Sequence, residues 1–166
     1  MLNPALLATV TAAAANGYAQ ATQGALMPWS FSFLVAPLVL HRDTRNALPS
    51  TVATHIPTWL ERNTTARIGF PERARTLVGV VSEGLRFGLR HRAISIVEGE
   101  FLRSELPAPT PARLAIMVTS APFALEFGSE PGPDFTEIII KARFVGRWVT
   151  KLDSPTTAFA LLGVRP

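Results

Sequence analysis

Cysteine is absent from this 166-residue chain, and Lys141 and Lys151 are its only lysines. Without cysteine there can be no disulfide framework, no thiol catalysis and no cysteine-based zinc site. The absence fits a reducing compartment, and we expect a cytoplasmic protein. Charged residues make up 17% of the chain, below the roughly 25% typical of soluble domains. Because 48% of the residues are hydrophobic, we expect a partner protein or a membrane to cover part of the surface.

No charged side chain occurs before Arg42. This charge-free start is compatible with a signal peptide, a transmembrane helix or helices buried in protein. A signal peptide would need a basic n-region, which is missing. A transmembrane helix needs about twenty apolar residues, but residues 1–23 are interrupted by polar side chains and residues 25–40 are too few. The signal-peptide and membrane interpretations are therefore both disfavoured.

Two buried helices account best for this segment. Asn3 and Pro4 form an N-cap and first-position pair, which predicts a helix that runs to about Tyr18. Pro28 can open a second helix through Leu40. Because both helices are apolar on all sides, they are expected to pack in a core or against another chain.

The middle of the chain predicts a polar connection over residues 41–50, a helical stretch over residues 51–63 and a longer helix. That helix restarts at residues 69–71 and runs to about Arg92. Apolar residues at helical spacing predict its buried stripe. They are Ala74, Val78, Val81, Leu85 and Leu89.

A β-hairpin is predicted directly after this helix. Ile94 and Ile96 alternate with smaller residues, Glu98-Gly99 favours a tight turn, and Phe101 begins the return strand. We expect a mainly α (α+β) single domain over residues 1–166. It is a compact helical domain with one β-hairpin and a Pro-rich irregular segment at 106–133.

A helix followed by a two-stranded wing is the order found in winged helix-turn-helix domains, which contact nucleic acid phosphates through basic side chains. An ordinary α+β domain with solvated arginines has the same order, so both interpretations remain open. In the winged-helix case the candidate DNA contacts lie on or just after the long helix. They are Arg75, Arg86, Arg90 and Arg92.

The C-terminal part predicts a helix from Asp134 to about Lys151, with a capping-box-like start, and a short helix after Ser154-Pro155. The longer helix shows two apolar faces, which indicates packing between its own core and a partner. A central helix surrounded by its own domain is the alternative. The candidate partner contacts are Phe144, Arg147, Trp148 and Arg165.

Signatures of catalysis are missing. His41, His55 and His91 lie far apart and match no metal-ligand spacing. There is no Gly-rich phosphate loop and no nucleophile elbow. We therefore expect neither enzymatic activity nor a cofactor or metal of the chain's own.

Several short motifs, taken in order, resemble a known family. They include NPAL at residues 3–6, FLVAPLVLH ending at His41, GFPERARTL at 69–77, GRW at 146–148 and LLGVRP at 161–166. In their order and spacing they resemble the middle component of bacterial three-component ABC systems. The resemblance is weakest in the Pro-rich segment.

The resemblance implies a role rather than a reaction. It implies an SMC-like ABC ATPase and a third, effector-type component as partners, in a DNA-surveillance or anti-phage and anti-plasmid defence complex. The middle component would be a non-catalytic adaptor that bridges the two, with ATP and Mg²⁺ on the ATPase and with sequence-independent DNA contact as a further candidate. A free-standing winged-helix DNA-binding regulator is the alternative.

Overall fold

The computed structural model describes residues 3–109 and 133–164, which are mainly helical with one small sheet. The prediction of a mainly α protein is confirmed. Leu106–Pro109 form neither helix nor strand, and the rest of the predicted irregular segment up to residue 132 lies outside the described residues. The elements in chain order are α1 (Pro4–Ala21), β1 (Met27–Pro28), a 3₁₀ turn (Trp29–Phe31), α2 (Ser32–Leu40), α3 (Arg42–Ala47), α4 (Ile56–Arg62), α5 (Thr64–Arg90), β2 (Ile94–Val97), β3 (Phe101–Ser104), α6 (Pro133–Val149) and α7 (Pro155–Leu161).

Helix α1 lies at the centre of the fold and contacts α2, α5, α6 and β3. It begins as predicted, because the Asn3 Oδ1 atom accepts a hydrogen bond from the Ala5 N–H at 2.9 Å. It ends one turn later than predicted, at Ala21, where the chain turns through Gly24 with φ 108°. Most of its residues are buried, as expected for a helix without a polar face.

Glycines allow α1 and α6 to approach each other closely. A Cβ atom at Gly146 of α6 would collide with the carbonyl oxygen of Ala14, and one at Gly17 of α1 would collide with that of Arg143. The backbones therefore touch where side chains would normally separate them. This contact fixes the position of α6 on the core.

A buried arginine joins α3 to the first turn of α6. Arg45 is 1% exposed and donates from Nη1 to the Val39 carbonyl at 2.9 Å. Its Nη2 and Nε atoms each lie 3.4 Å from a carboxylate oxygen, of Asp134 and Glu137 respectively. The acidic first turn predicted for α6 thus compensates a buried cation and complements its own helix dipole.

The predicted hairpin is confirmed, and the structure adds a third strand. Strands β2 and β3 pair antiparallel around a turn in which Glu98 and Gly99 have φ 54° and 72°. Strand β1 pairs with β3, with Met27 opposite Leu102, so the strand order is β1-β3-β2. The prediction that Pro28 opens a helix is therefore wrong: Pro28 lies in the sheet and the helix begins at Ser32.

Three predictions between residues 41 and 71 are also wrong. The polar connection contains α3, for which His41 is the N-cap, with its Nδ1 atom accepting from the Thr44 N–H at 3.2 Å. The long helix does not restart at residues 69–71; α5 already begins at Thr64 and continues through Pro71. The stretch at 51–63 is helical only in α4, where Pro57 occupies the first turn.

The buried face of α5 differs from the predicted stripe. Ala74 and Val81 are buried as expected, but Val78 is 48% and Leu89 37% exposed. Gly84 and Gly88 are buried in their place, because α5 lies directly on α1 and on β2 there. A Cβ at Gly84 would collide with the Leu7 side chain. The small residues thus form part of the contact face, and two large apolar side chains of the predicted stripe remain on the surface.

The last helix follows the sequence closely. Ser154 is the N-cap of α7, and its Oγ atom accepts from the Thr157 N–H at 3.2 Å. The helix ends at Leu161, and Gly163 follows with φ 70°. This predicted capping arrangement is confirmed.

Candidate functional site

The four candidate DNA-contacting arginines are exposed, on α5 and just beyond its end. Arg75 pairs with Glu72 at 3.0 Å and Arg86 with Glu83 at 2.6 Å, each three residues earlier in the helix. Arg90 and Arg92 have no carboxylate within 4.0 Å in the described part of the chain. Of these four arginines, the two without a nearby carboxylate therefore lie where α5 meets the hairpin.

Trp148 does not lie on the surface. It is 1% exposed, its indole Nε1–H donates to the Thr54 carbonyl at 2.7 Å, and its ring packs edge to face on Trp59 at 5.3 Å. The expectation of a partner-facing Trp148 is therefore corrected. This apolar side of α6 packs against α4 and the loop before it, which cover the indole.

The other candidate partner contacts are distributed unevenly. Phe144 is half-buried, with its ring 6.1 Å from that of Trp148 and the Lys141 Nζ atom 5.9 Å from its centroid. Arg147 is partly exposed on the same helix. Arg165 lies outside the described residues. The predicted set therefore does not form one exposed cluster around Trp148.

An open apolar groove is present elsewhere, and the sequence did not predict it. Trp29 is 42% exposed and packs edge to face on Phe33 at 5.7 Å. The groove has a volume of about 500 Å³ and runs between the 3₁₀ turn, α5 and the end of α7. Its walls include Trp29, Phe33, Pro71, Arg75, Val78 and Phe159.

Two weak signals pointed toward this groove. Trp29 lies in the charge-free first forty residues, whose composition already indicated a covered surface. Val78 fits the helical stripe but lies at its edge. Neither signal identifies Phe159, which is more than eighty residues further along the chain and is brought to the groove only by the packing of α7.

In residues 3–109 and 133–164 no three His, Asp or Glu side chains lie close enough together to hold a metal ion. Within the same ranges, no helix is long and apolar enough to span a membrane.

The described surfaces are those of a small helical subunit with an open apolar groove and a basic helix end. A comparison with protein families covers the whole sequence. The model of the family described as ABC-three component (ABC-3C) system Middle Component 3 matches residues 1–166. The chain belongs to this family, and the predicted resemblance is confirmed. It is thus an accessory component whose partners include other components of an ABC-3C system. Comparisons with curated proteins and with solved structures gave no match.

Proposed function

We propose that this chain is a non-catalytic adaptor that bridges an SMC-like ABC ATPase and an effector component in a DNA-surveillance or anti-phage and anti-plasmid defence complex. The observation that carries the proposal is the open groove around Trp29 and Val78. Exposed aromatic and aliphatic side chains clustered in a concave surface are typical of protein-protein contacts. Membership in a multi-component family supplies the kind of partner.

A bridging subunit needs two separate contact surfaces. Val78 borders the groove, whereas Leu89 and Ile96 are exposed near the hairpin, at 37% and 47%. A helix rises 1.5 Å per residue, so Val78 and Leu89 are about 16 Å apart along α5. One helix therefore presents apolar side chains at two places, and a different partner can occupy each.

DNA contact belongs to the hairpin end in this proposal. The order of α5, β2 and β3 is compatible with a winged helix, and Arg90 and Arg92 are free of carboxylate partners in the described chain. Phosphate contacts of this kind are independent of sequence and weaken with salt. ATP and Mg²⁺ would remain with the ATPase.

The decisive experiment is co-purification of the complete three-component complex with a charge placed in the groove. Val78→Glu should weaken assembly by roughly thirtyfold or more, which corresponds to about 2 kcal/mol at an interface centre. Thr76→Glu is the matched control, since Thr76 is exposed on the same helix but does not line the groove. Equal assembly of both variants with wild type would refute the groove as a partner site. Tight binding of the lone chain to one operator sequence would favour a regulator instead.

A further inference from the structure

A second concavity lies near the start of α5 and is more polar than the groove, although Ala47, Ala66 and the exposed Ile68 also line it. It has a volume of about 800 Å³ and is formed by α3, the end of α4 and the first turns of α5. Its walls include His41, Asp43, Arg62, Thr64, Thr65 and Arg73. Two arginines share this pocket with a single carboxylate, that of Asp43, among the residues that line it.

Arg73 is held in the pocket without a carboxylate. Its Nη2 atom donates to the Ala66 carbonyl at 2.9 Å and to the Thr44 Oγ1 atom at 3.3 Å. Its Nε atom is buried without a hydrogen-bond partner in the described chain. Burial lowers the pKa of Arg73, because the cation loses water without an anion to replace it. Arg45, in contrast, has two carboxylates beside it.

The surroundings hold this guanidinium in place and supply further donors. A Cβ atom at Gly69 would collide with Arg73 Nη1, so the glycine leaves the space that the guanidinium occupies. The ring of His41 also lines the pocket, and its Nδ1 atom accepts a hydrogen bond from the Thr44 N–H. Thr64 and Thr65 are exposed at the rim and add hydroxyl groups.

We propose that this pocket binds the phosphate group of a nucleotide, either free or within a nucleic-acid backbone. The exposed Arg62 and the Nη1 group of Arg73, whose Nη2 donates to protein oxygens and whose Nε is buried, match phosphate oxygens in charge. The carboxylate of Asp43 disfavours a bare anion and favours a ligand that also carries a hydroxyl or amino donor. A nucleotide carries a phosphate together with hydroxyl or amino donors, so it should bind more tightly than inorganic phosphate. The proposal does not depend on the adaptor role.

The test uses calorimetric titration of the full chain with inorganic phosphate, AMP and an oligothymidylate without terminal phosphates. Thr65→Glu places a carboxylate in the pocket, and Arg62→Gln removes an exposed cation. Each should weaken binding roughly tenfold, the effect of one charge-assisted hydrogen bond. A glutamate in the first turn of α5 also favours the helix, so Thr65→Glu should stay folded. Arg67→Gln is the matched control, because Arg67 is exposed on the same helix, does not line the pocket and is not among the candidate DNA contacts.

The ligands separate the two sources of the phosphate. Binding of AMP but not of the oligonucleotide identifies a free-nucleotide pocket, and competition between the two shows that the pocket accepts phosphate from either source. Binding of the oligonucleotide alone, with a steep salt dependence that Thr65→Glu reduces, identifies a backbone contact. The proposal is overturned if AMP and the oligonucleotide both fail to bind. It is equally overturned if Thr65→Glu and Arg62→Gln bind like wild type, or if Arg67→Gln loses as much affinity as they do.

Discussion

Two aromatic pairs in this protein have the same edge-to-face geometry and opposite surroundings. Trp59 and Trp148 are both almost fully buried, and each indole N–H donates to a backbone carbonyl. Trp29 and Phe33 form a similar pair, but Trp29 is 42% exposed. The Trp59–Trp148 pair, here called the closed pair, is covered by chain segments distant in sequence. The Trp29–Phe33 pair, the open pair, is covered on one side only. Aromatic spacing alone therefore does not distinguish a core anchor from a contact surface.

The sharpest contrast should come from truncating one tryptophan in each pair. Trp148→Ala removes a buried indole and its hydrogen bond to Thr54, and should lower the free energy of unfolding by about 3–5 kcal/mol. Trp29→Ala should lower it by about 1 kcal/mol, because much of that side chain already contacts solvent. Urea denaturation measures both values. A comparable loss from the two variants would mean that the open pair is part of the core.

The close approach of α1 and α6 holds the side of the molecule that carries the buried Trp59–Trp148 pair. The addition of one methyl group tests this contact. Gly146→Ala should destabilise the fold by about 1–3 kcal/mol or more, because the new Cβ would collide with backbone at Ala14. Gly79→Ala is the control, since a Cβ there meets nothing within 4 Å. It should raise stability by about 0.5–1 kcal/mol through helix propensity. Thermal unfolding of the two variants should shift in opposite directions, and two shifts of the same sign would contradict this packing.

The smallest changes in stability are expected from exposed charged residues of α5. Arg75→Ala and Arg86→Ala should each change stability by no more than about 0.5 kcal/mol, because their ion pairs are exposed and screened. If these arginines contact DNA, the same variants should nevertheless reduce the salt dependence of binding by roughly one unit of log-log slope each. Chemical denaturation and salt titration together separate the two effects. An unchanged slope would limit DNA contact to Arg90 and Arg92.

Local sequence signals located several elements correctly. Asn3-Pro4, Glu98-Gly99 and Ser154-Pro155 each predicted a cap or turn that the structure contains, because those signals act within a few residues. The hairpin followed from the same kind of signal. The family resemblance, confirmed over residues 1–166, was likewise carried by short motifs in order.

Most of the errors involve distant contacts. Met27 and Pro28 form a strand only because Leu102 and Phe101 lie opposite them. Pro71 removes one backbone hydrogen bond, yet α5 continues through it, because the helix is held by buried neighbours such as Phe70.

The predicted contact residues show the same difference between local signals and distant contacts. Arg75, Arg86, Arg90 and Arg92 are exposed as their charge predicts. Trp148 was misplaced because the segment that covers it is about ninety residues away. The groove was missed because it requires α7 to pack beside Trp29 and Val78.

The alanine run of α1 has a consequence for which substitutions this protein can accept. Ala12 to Ala15 are all at most 3% exposed, and Ala14 lies against Gly146. Any larger side chain there must displace another helix, so a survey of point variants should find these four positions the least permissive. Trp29, the most conspicuous residue of the N-terminal segment, should accept many replacements as long as only folding is scored. In this protein the smallest side chains are the most constrained by folding, and the large exposed ones are free to change with the partner.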